Sequence, residues 1–155
     1  MILFADAAAL IKLYVSEAGS GGIRRAVRNA VAVYSIDSTY VEVCAAFARA
    51  GRTGLLRTKQ AQAARNDFDR DWQSINVISP DAAMLRRAAE LAAAEGLSAS
   101  AGLSLAAAEA IHRQFGPSVS YRIGTADANA AACAKRLGLP LLDLGPHATQ
   151  REPSK

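Results

Sequence analysis

Short aliphatic runs alternating with stretches of helical periodicity constrain this chain more than any other feature. The runs occupy residues 1–4 (MILF), 31–36 (VAVYSI), 75–78 (INVI), 118–123 (SVSYRI) and 139–143 (LPLLD). Each is too short for a helix, and the first is apolar without alternation, which suits a strand covered on both faces. Between them lie helical patterns. From Ala7 onward Leu10, Ile11 and Tyr14 recur at helical spacing, and residues 23–30 resume as a short helix after the turn-rich segment 16–22. Residues 40–50 follow, with Val41, Cys44, Ala45 and Phe47 expected to face a core, and residues 53–72 read as one long amphipathic helix that covers an entrance to the site. Residues 82–95, stopped by Gly96, form the next helix. Residues 97–115 begin as a Ser/Ala/Gly segment and become helical, and residues 128–137 close the series. Alternation of this kind predicts a three-layer α/β/α fold around a central parallel sheet of four to five strands.

The chain has 155 residues, 51% of them hydrophobic and 21% charged, which fits one globular domain over residues 1–146 and a polar, frayed tail over residues 147–155. No apolar stretch is long enough to span a bilayer and no cleavage-site pattern opens the chain, so the expectation is a cytoplasmic protein without a membrane partner. Cys44 and Cys133 sit in apolar helical patterns without metal-ligand spacing, and read as packing residues. His112 and His147 are isolated. A formal charge of +4 is compatible with a polyanionic partner.

The acids carry the chemistry. Asp6 lies between the first strand and the first helix, and Asp127 repeats that arrangement after the turn Gly124-Thr125-Ala126. Such an Asp caps a helix, because its carboxylate accepts backbone N–H groups. It also stands where open α/β sheets bind ligands, outside the carboxyl ends of the strands. Glu42 has the same double reading. Thr39-Tyr40-Val41-Glu42 fits a capping box, yet the position is also close to the mouth of the second strand. Three carboxylates brought to one rim repel one another, and a hard divalent cation such as Mg²⁺ or Mn²⁺ is the ordinary remedy. An ion of that kind activates water and stabilises a phosphodiester in displacement.

These segments resemble the PIN-domain ribonucleases, in particular the VapC-like toxins of toxin-antitoxin pairs. FADAAALIKLYVSEAGS is similar to that family's first strand and helix, STYVEVCAAFARA to its second motif, and GTADANAAACAKRLGLPLLDL to its closing portion. The resemblance implies a Mg²⁺- or Mn²⁺-dependent endoribonuclease cutting single-stranded regions of RNA. Asp6 and Asp127 would hold the metal, Glu42 would ligate it or position the attacking water, and Thr125 would support the site from behind. It further implies a small antitoxin partner and a homodimer. Lys12, Arg24, Arg25, Arg49 and Arg52 are the candidates for phosphate contact.

One departure from the family pattern bears on activity. GLSASAGLSLAAA aligns so that Ala101 occupies the position of a further Asp, and Ser104 stands where such toxins often have His. Glu109 lies about 12 Å farther along a helix, and Glu95 would reach the site only if the Ser/Ala segment folded back. The alternative is therefore a degenerate PIN domain without nuclease activity, acting as an antitoxin- or RNA-binding module. An aspartyl phosphatase fits less well, since Ala8 occupies the place of its second Asp. A dinucleotide-binding fold lacks its Gly-rich turn after Phe4.

Overall fold

The structure, a computed structural model, describes residues 1–144; the expected tail at 147–155, with His147, lies outside the described residues. The elements run β1 (Ile2–Ala5), α1 (Ala7–Tyr14), α2 (Ser20–Asn29), β2 (Ala32–Ile36), α3 (Ser38–Arg52), α4 (Thr58–Trp72), β3 (Asn76–Ile78), α5 (Ala82–Glu95), α6 (Ala99–Phe115), β4 (Tyr121–Gly124) and α7 (Ala128–Arg136). The four strands pair in the order β3-β2-β1-β4, all parallel, with Phe4 opposite Tyr34 on one side and Ile123 on the other. This is the three-layer α/β/α architecture the alternation predicts.

Side-chain alternation along β1 divides the interior in two. Ile2 and Phe4 point into a core shared with Leu105, Ile111, Tyr121 and Cys133, whereas Leu3 and Ala5 point into one shared with Leu10, Ile23, Val43, Phe47 and Phe68. Every residue of β1 is buried, so the strand has no solvent face. Phe68 gathers Tyr14, Tyr40, Phe47 and Trp72 around it with ring centroids 5.4–6.4 Å apart, and this cluster fastens α4 to α1 and α3.

Several local expectations change. The fifth run forms a single bridge, Leu141 to Ile123, rather than a strand: Pro140 has no N–H to extend the ladder. The long helix expected over residues 53–72 begins only at Thr58, because Gly54 adopts φ +76° in the turn after α3. On α3 the core face is Thr39, Val43 and Phe47, an i, i+4 series, and Val41 is 67% exposed. The Ser/Ala/Gly segment is already helical from Ala99, because Ser98 caps α6 by accepting the Ala101 N–H at 3.2 Å. Cys133 is fully buried, as a packing residue should be, while Cys44 is only half-buried beside Phe47, Arg52 and Arg65. Among the described residues no helix is long and apolar enough to cross a membrane.

Candidate active site

Parallel strands send their carboxyl ends, and the amino ends of the helices that follow, to one rim. Strand order reverses at β1, with β2 and β3 to one side and β4 to the other. The crevice between the ends of β1 and β4 is therefore the switch point where such sheets bind ligands. Asp6 and Asp127 stand there. The Asp6 N–H donates to the Gly124 carbonyl at 3.2 Å, which ties the two strand exits together.

A cavity of about 60 Å³ opens at this point, lined by Asp6, Ala7, Ala8, Glu42, Ser100, Ala101, Ser104 and Asp127. Asp6, Glu42 and Asp127, separated widely in sequence, thus share one space. All the lining residues belong to the caps or first two turns of α1, α3, α6 and α7, whose amino ends contribute partial positive charge. Among the described residues no lysine or arginine forms an ion pair with any of the three acids.

Each acid is held differently. Asp6 is 8% exposed and caps α1, its Oδ1 accepting the Ala9 N–H at 2.8 Å. Burial pushes its carboxyl up to about 6 against the lowering effect of Thr125 and Ala9, with the charges of Asp127 and then Glu42 adding to the rise. Asp127 caps α7 through Ala130, at 2.9 Å, and its own N–H donates to Thr125 Oγ1 at 3.1 Å. Thr125 therefore meets the side chain of Asp6 and the backbone of Asp127. Glu42 does not close a capping box with Thr39. Thr39 lies inside α3 with its hydroxyl buried and unpartnered, and Ser38 Oγ instead donates to Glu42 Oε1 at 3.4 Å. Partial burial raises the Glu42 carboxyl, opposed by the Ser38 and Ser100 hydroxyls.

Ala101, at the position where the family pattern has a further Asp, lines the same cavity as the three acids. Among the described residues no other acid lines the cavity in its place. Glu95 pairs with Arg136, and Glu109 accepts two bonds from Arg87 at 2.8 and 3.0 Å. Ser104 lines the cavity as expected, whereas Ser38 and Ser100 were not foreseen. The signal for Ser100 was present in Ser98, whose capping preference starts α6 early enough to turn Ser100 and Ser104 onto one helical face.

The basic candidates fare less well. Lys12 Nζ is bound to Glu17 Oε1 at 2.8 Å and to the Ala18 carbonyl at 2.9 Å, and Arg24 Nε donates to the Leu13 carbonyl. Both are engaged in holding the α1–α2 turn. Arg49 and Arg52 lie toward the far end of α3, on the order of 10 Å or more along the axis from Glu42, and line other cavities. Arg25 is exposed on α2. None of the five lines the acidic cavity, and neither does any residue of α4.

Oxygen donors alone line the polar part of the cavity, a set suited to Mg²⁺ or Mn²⁺. Among the described residues no three acidic, imidazole or thiol groups stand close enough to enclose an ion by themselves. The donor chemistry fits a divalent cation. Asp6 and Asp127, whose charges couple more strongly than those of Asp6 and Glu42, are the residues that would hold one.

The sequence matches the PIN domain family model over residues 3–145. The chain belongs to the PIN domain family. The family consists generally of nucleases that use divalent metals. This PIN domain is similar in fold to VapC20 of Mycobacterium tuberculosis, described as a sarcin-ricin loop cleaving toxin, with TM-score 0.58 and 18% identity over 84% of this chain and 93% of that one. PAE2754 from Pyrobaculum aerophilum gives TM-score 0.61 and 19% identity, covering 92% of this chain and 93% of that one. FitAcB from Neisseria gonorrhoeae gives 0.60 and 17%, covering 93% and 98%. No curated protein matches the sequence.

Proposed function

We propose that this PIN domain is a VapC-like toxin, a Mg²⁺- or Mn²⁺-dependent endoribonuclease that cleaves single-stranded regions of RNA. A small antitoxin is its partner, and it works in the cytoplasm as a homodimer. The observation that carries the reading is the cavity at the switch point, where Asp6, Glu42 and Asp127 meet with no ion-pair partner among the described residues. Similar folds in toxins such as VapC20 support the choice of RNA as substrate.

In this reading Asp6 and Asp127 would hold the cation, with Thr125 bonded to the Asp6 side chain and to the Asp127 N–H. Bound there, such an ion would offset the charge of the acids and stabilise charge developing on a phosphodiester oxygen. Glu42, on the α3 side of the cavity, orients a water and accepts its proton. The amino ends of α1, α6 and α7 favour the approach of phosphate.

Cleavage of a single-stranded RNA by wild type and by Asp6→Asn, titrated with Mn²⁺, tests the proposal. Metal-dependent cleavage by wild type that is lost in Asp6→Asn supports it; equal, negligible cleavage by both removes the enzyme. Ala101 in the cavity wall favours a second reading, a PIN domain that binds antitoxin or RNA without cutting. Retained RNA binding in the absence of cleavage is its signature.

A further inference from the structure

Glu42 differs from the two aspartates in what grips it. Asp6 and Asp127 are each fixed by a backbone N–H of their own helix, an attachment that side-chain substitution elsewhere cannot remove. Glu42 is held by hydroxyls. Ser38, one turn earlier on α3, donates to Oε1 at 3.4 Å, and Ser100 lines the same cavity from α6, its hydroxyl drawing the Glu42 carboxyl down against the effect of burial. Ser100 is itself placed by its neighbour: its Oγ lies 3.4 Å from that of Ser98, the residue that caps α6. Ala101, next to Ser100, adds only a methyl group to the cavity wall.

We infer that Ser38 and Ser100 are positioning residues that bracket Glu42 between α3 and α6 and keep its carboxylate from joining Asp6 and Asp127 as a third metal ligand. The inference rests on the cleft being a cation site. A carboxylate that accepts hydroxyl protons still has lone pairs to spare, but those bonds fix the direction in which its oxygens point, and they must break for the group to swing toward an ion. Holding Glu42 back leaves a place on the ion for water or a phosphate oxygen, and keeps one carboxylate available as a proton acceptor. Removing the hydroxyls should therefore strengthen metal binding, an effect that loss of a merely structural contact would not produce.

Mn²⁺ affinity at pH 7.5, measured by electron paramagnetic resonance of free Mn²⁺ with the full chain, tests this without recourse to cleavage. The double variant Ser38→Ala/Ser100→Ala should bind Mn²⁺ at least threefold more tightly than wild type, and adding Glu42→Gln should abolish the gain. Ser100→Thr, which keeps the hydroxyl, should bind like wild type. An unchanged or weaker affinity in the double variant overturns the inference, as does a gain that survives Glu42→Gln. Asp6→Asn separates the two levels. If it abolishes Mn²⁺ binding while the double variant matches wild type, the cation site stands and the bracket falls; if it changes nothing, the ion is elsewhere and both fall. Circular dichroism confirms that each variant is folded.

Discussion

Helix α6 carries two polar faces that treat carboxylates in opposite ways. At its amino end Ser100, Ala101 and Ser104 face Asp6, Glu42 and Asp127, and no cation pairs with these acids among the described residues. Farther along, Glu109 is 16% exposed and receives a forked pair of bonds from Arg87 on α5, with Arg113 at 3.8 Å. The second arrangement draws the Glu109 carboxyl below its ordinary value, chiefly through the Arg87 bonds, whereas the first pushes Asp6 up to about 6. The fold thus supplies a cation where a half-buried acid only holds helices together. At the rim it supplies helix amino ends, which leave room for something positive from outside.

The largest test of this contrast is Asp6→Asn. Cleavage should fall at least about 100-fold, roughly 2.7 kcal/mol in transition-state stabilisation, yet the fold should gain stability. Asn caps a helix nearly as well as Asp. The ionised Asp6 carboxylate, in contrast, is disfavoured in the folded state, since its folded value near 6 lies above the ordinary 3.8. A raised carboxyl means that the native state binds more protons than the unfolded chain between those values, so wild-type stability declines as pH rises from about 4 through 6. The penalty at pH 7.5 is on the order of 3 kcal/mol. Urea unfolding should show Asp6→Asn more stable at pH 7.5 and equal to wild type at pH 4. A destabilised variant at pH 7.5 would mean that Asp6 is a structural acid after all.

The counterpart is Arg87→Met. It strands Glu109 without its forked partner and should cost about 1–2 kcal/mol, given the remaining solvent access and the nearby Arg113. Cleavage by the folded enzyme should stay within a few-fold of wild type. Loss of activity at full stability would break the division between the two faces.

Between the faces, Gly102 sets how closely α6 approaches α5. A Cβ there would stand 2.7 Å from the Ala88 carbonyl oxygen, backbone that cannot swing aside. Gly102→Ala should cost about 1–3 kcal/mol in thermal or urea unfolding. Because Gly102 adjoins Ala101, the shift of α6 should also reach the cleft. A variant as stable as wild type would show that the two helices have slack at this point.

How far these features could be read in advance depends on whether they are local. The strand-acid-helix unit at Asp6 is written in consecutive residues, an aliphatic run ended by a capping acid, and Asp127 repeats it; both were legible. So was the sheet, because apolar runs as short as those at 31–36 and 75–78 leave few alternatives once helices intervene. Glu42 was harder. Its apparent capping box with Thr39 depended on where α3 begins, and a start at Ser38 places Thr39 inside the helix. The orientation of α3 was misread for a related reason: Val41 and Ala45 share the same periodicity as Val43 and Phe47, and only the aromatic cluster around Phe68 decides between the faces. Partners joined across the fold, such as Arg87 with Glu109 or Arg136 with Glu95, leave no trace in spacing. Lys12 and Arg24 illustrate the same gap, since a sequence does not show that a basic side chain is already engaged.

The finest test of the contrast is Ala101→Asp, which installs at the rim the acid that the family pattern leads one to expect. A carboxylate here would face Asp6, Glu42 and Asp127 across a cavity of about 60 Å³, with only helix amino ends to offset its charge. Without metal the variant should be less stable than wild type at pH 7.5, and the deficit should shrink as the pH falls toward 4 and the clustered acids take up protons. With metal the order should reverse. An added ligand should raise Mn²⁺ affinity about tenfold, near 1.4 kcal/mol, and saturating Mn²⁺ should then raise the midpoint of unfolding more in the variant than in wild type. If the variant is destabilised and Mn²⁺ restores nothing, the side chain at position 101 meets the three acids but no ion. The rim would then be a cluster of carboxylates that binds through its helix ends alone, and the non-cleaving reading would take precedence.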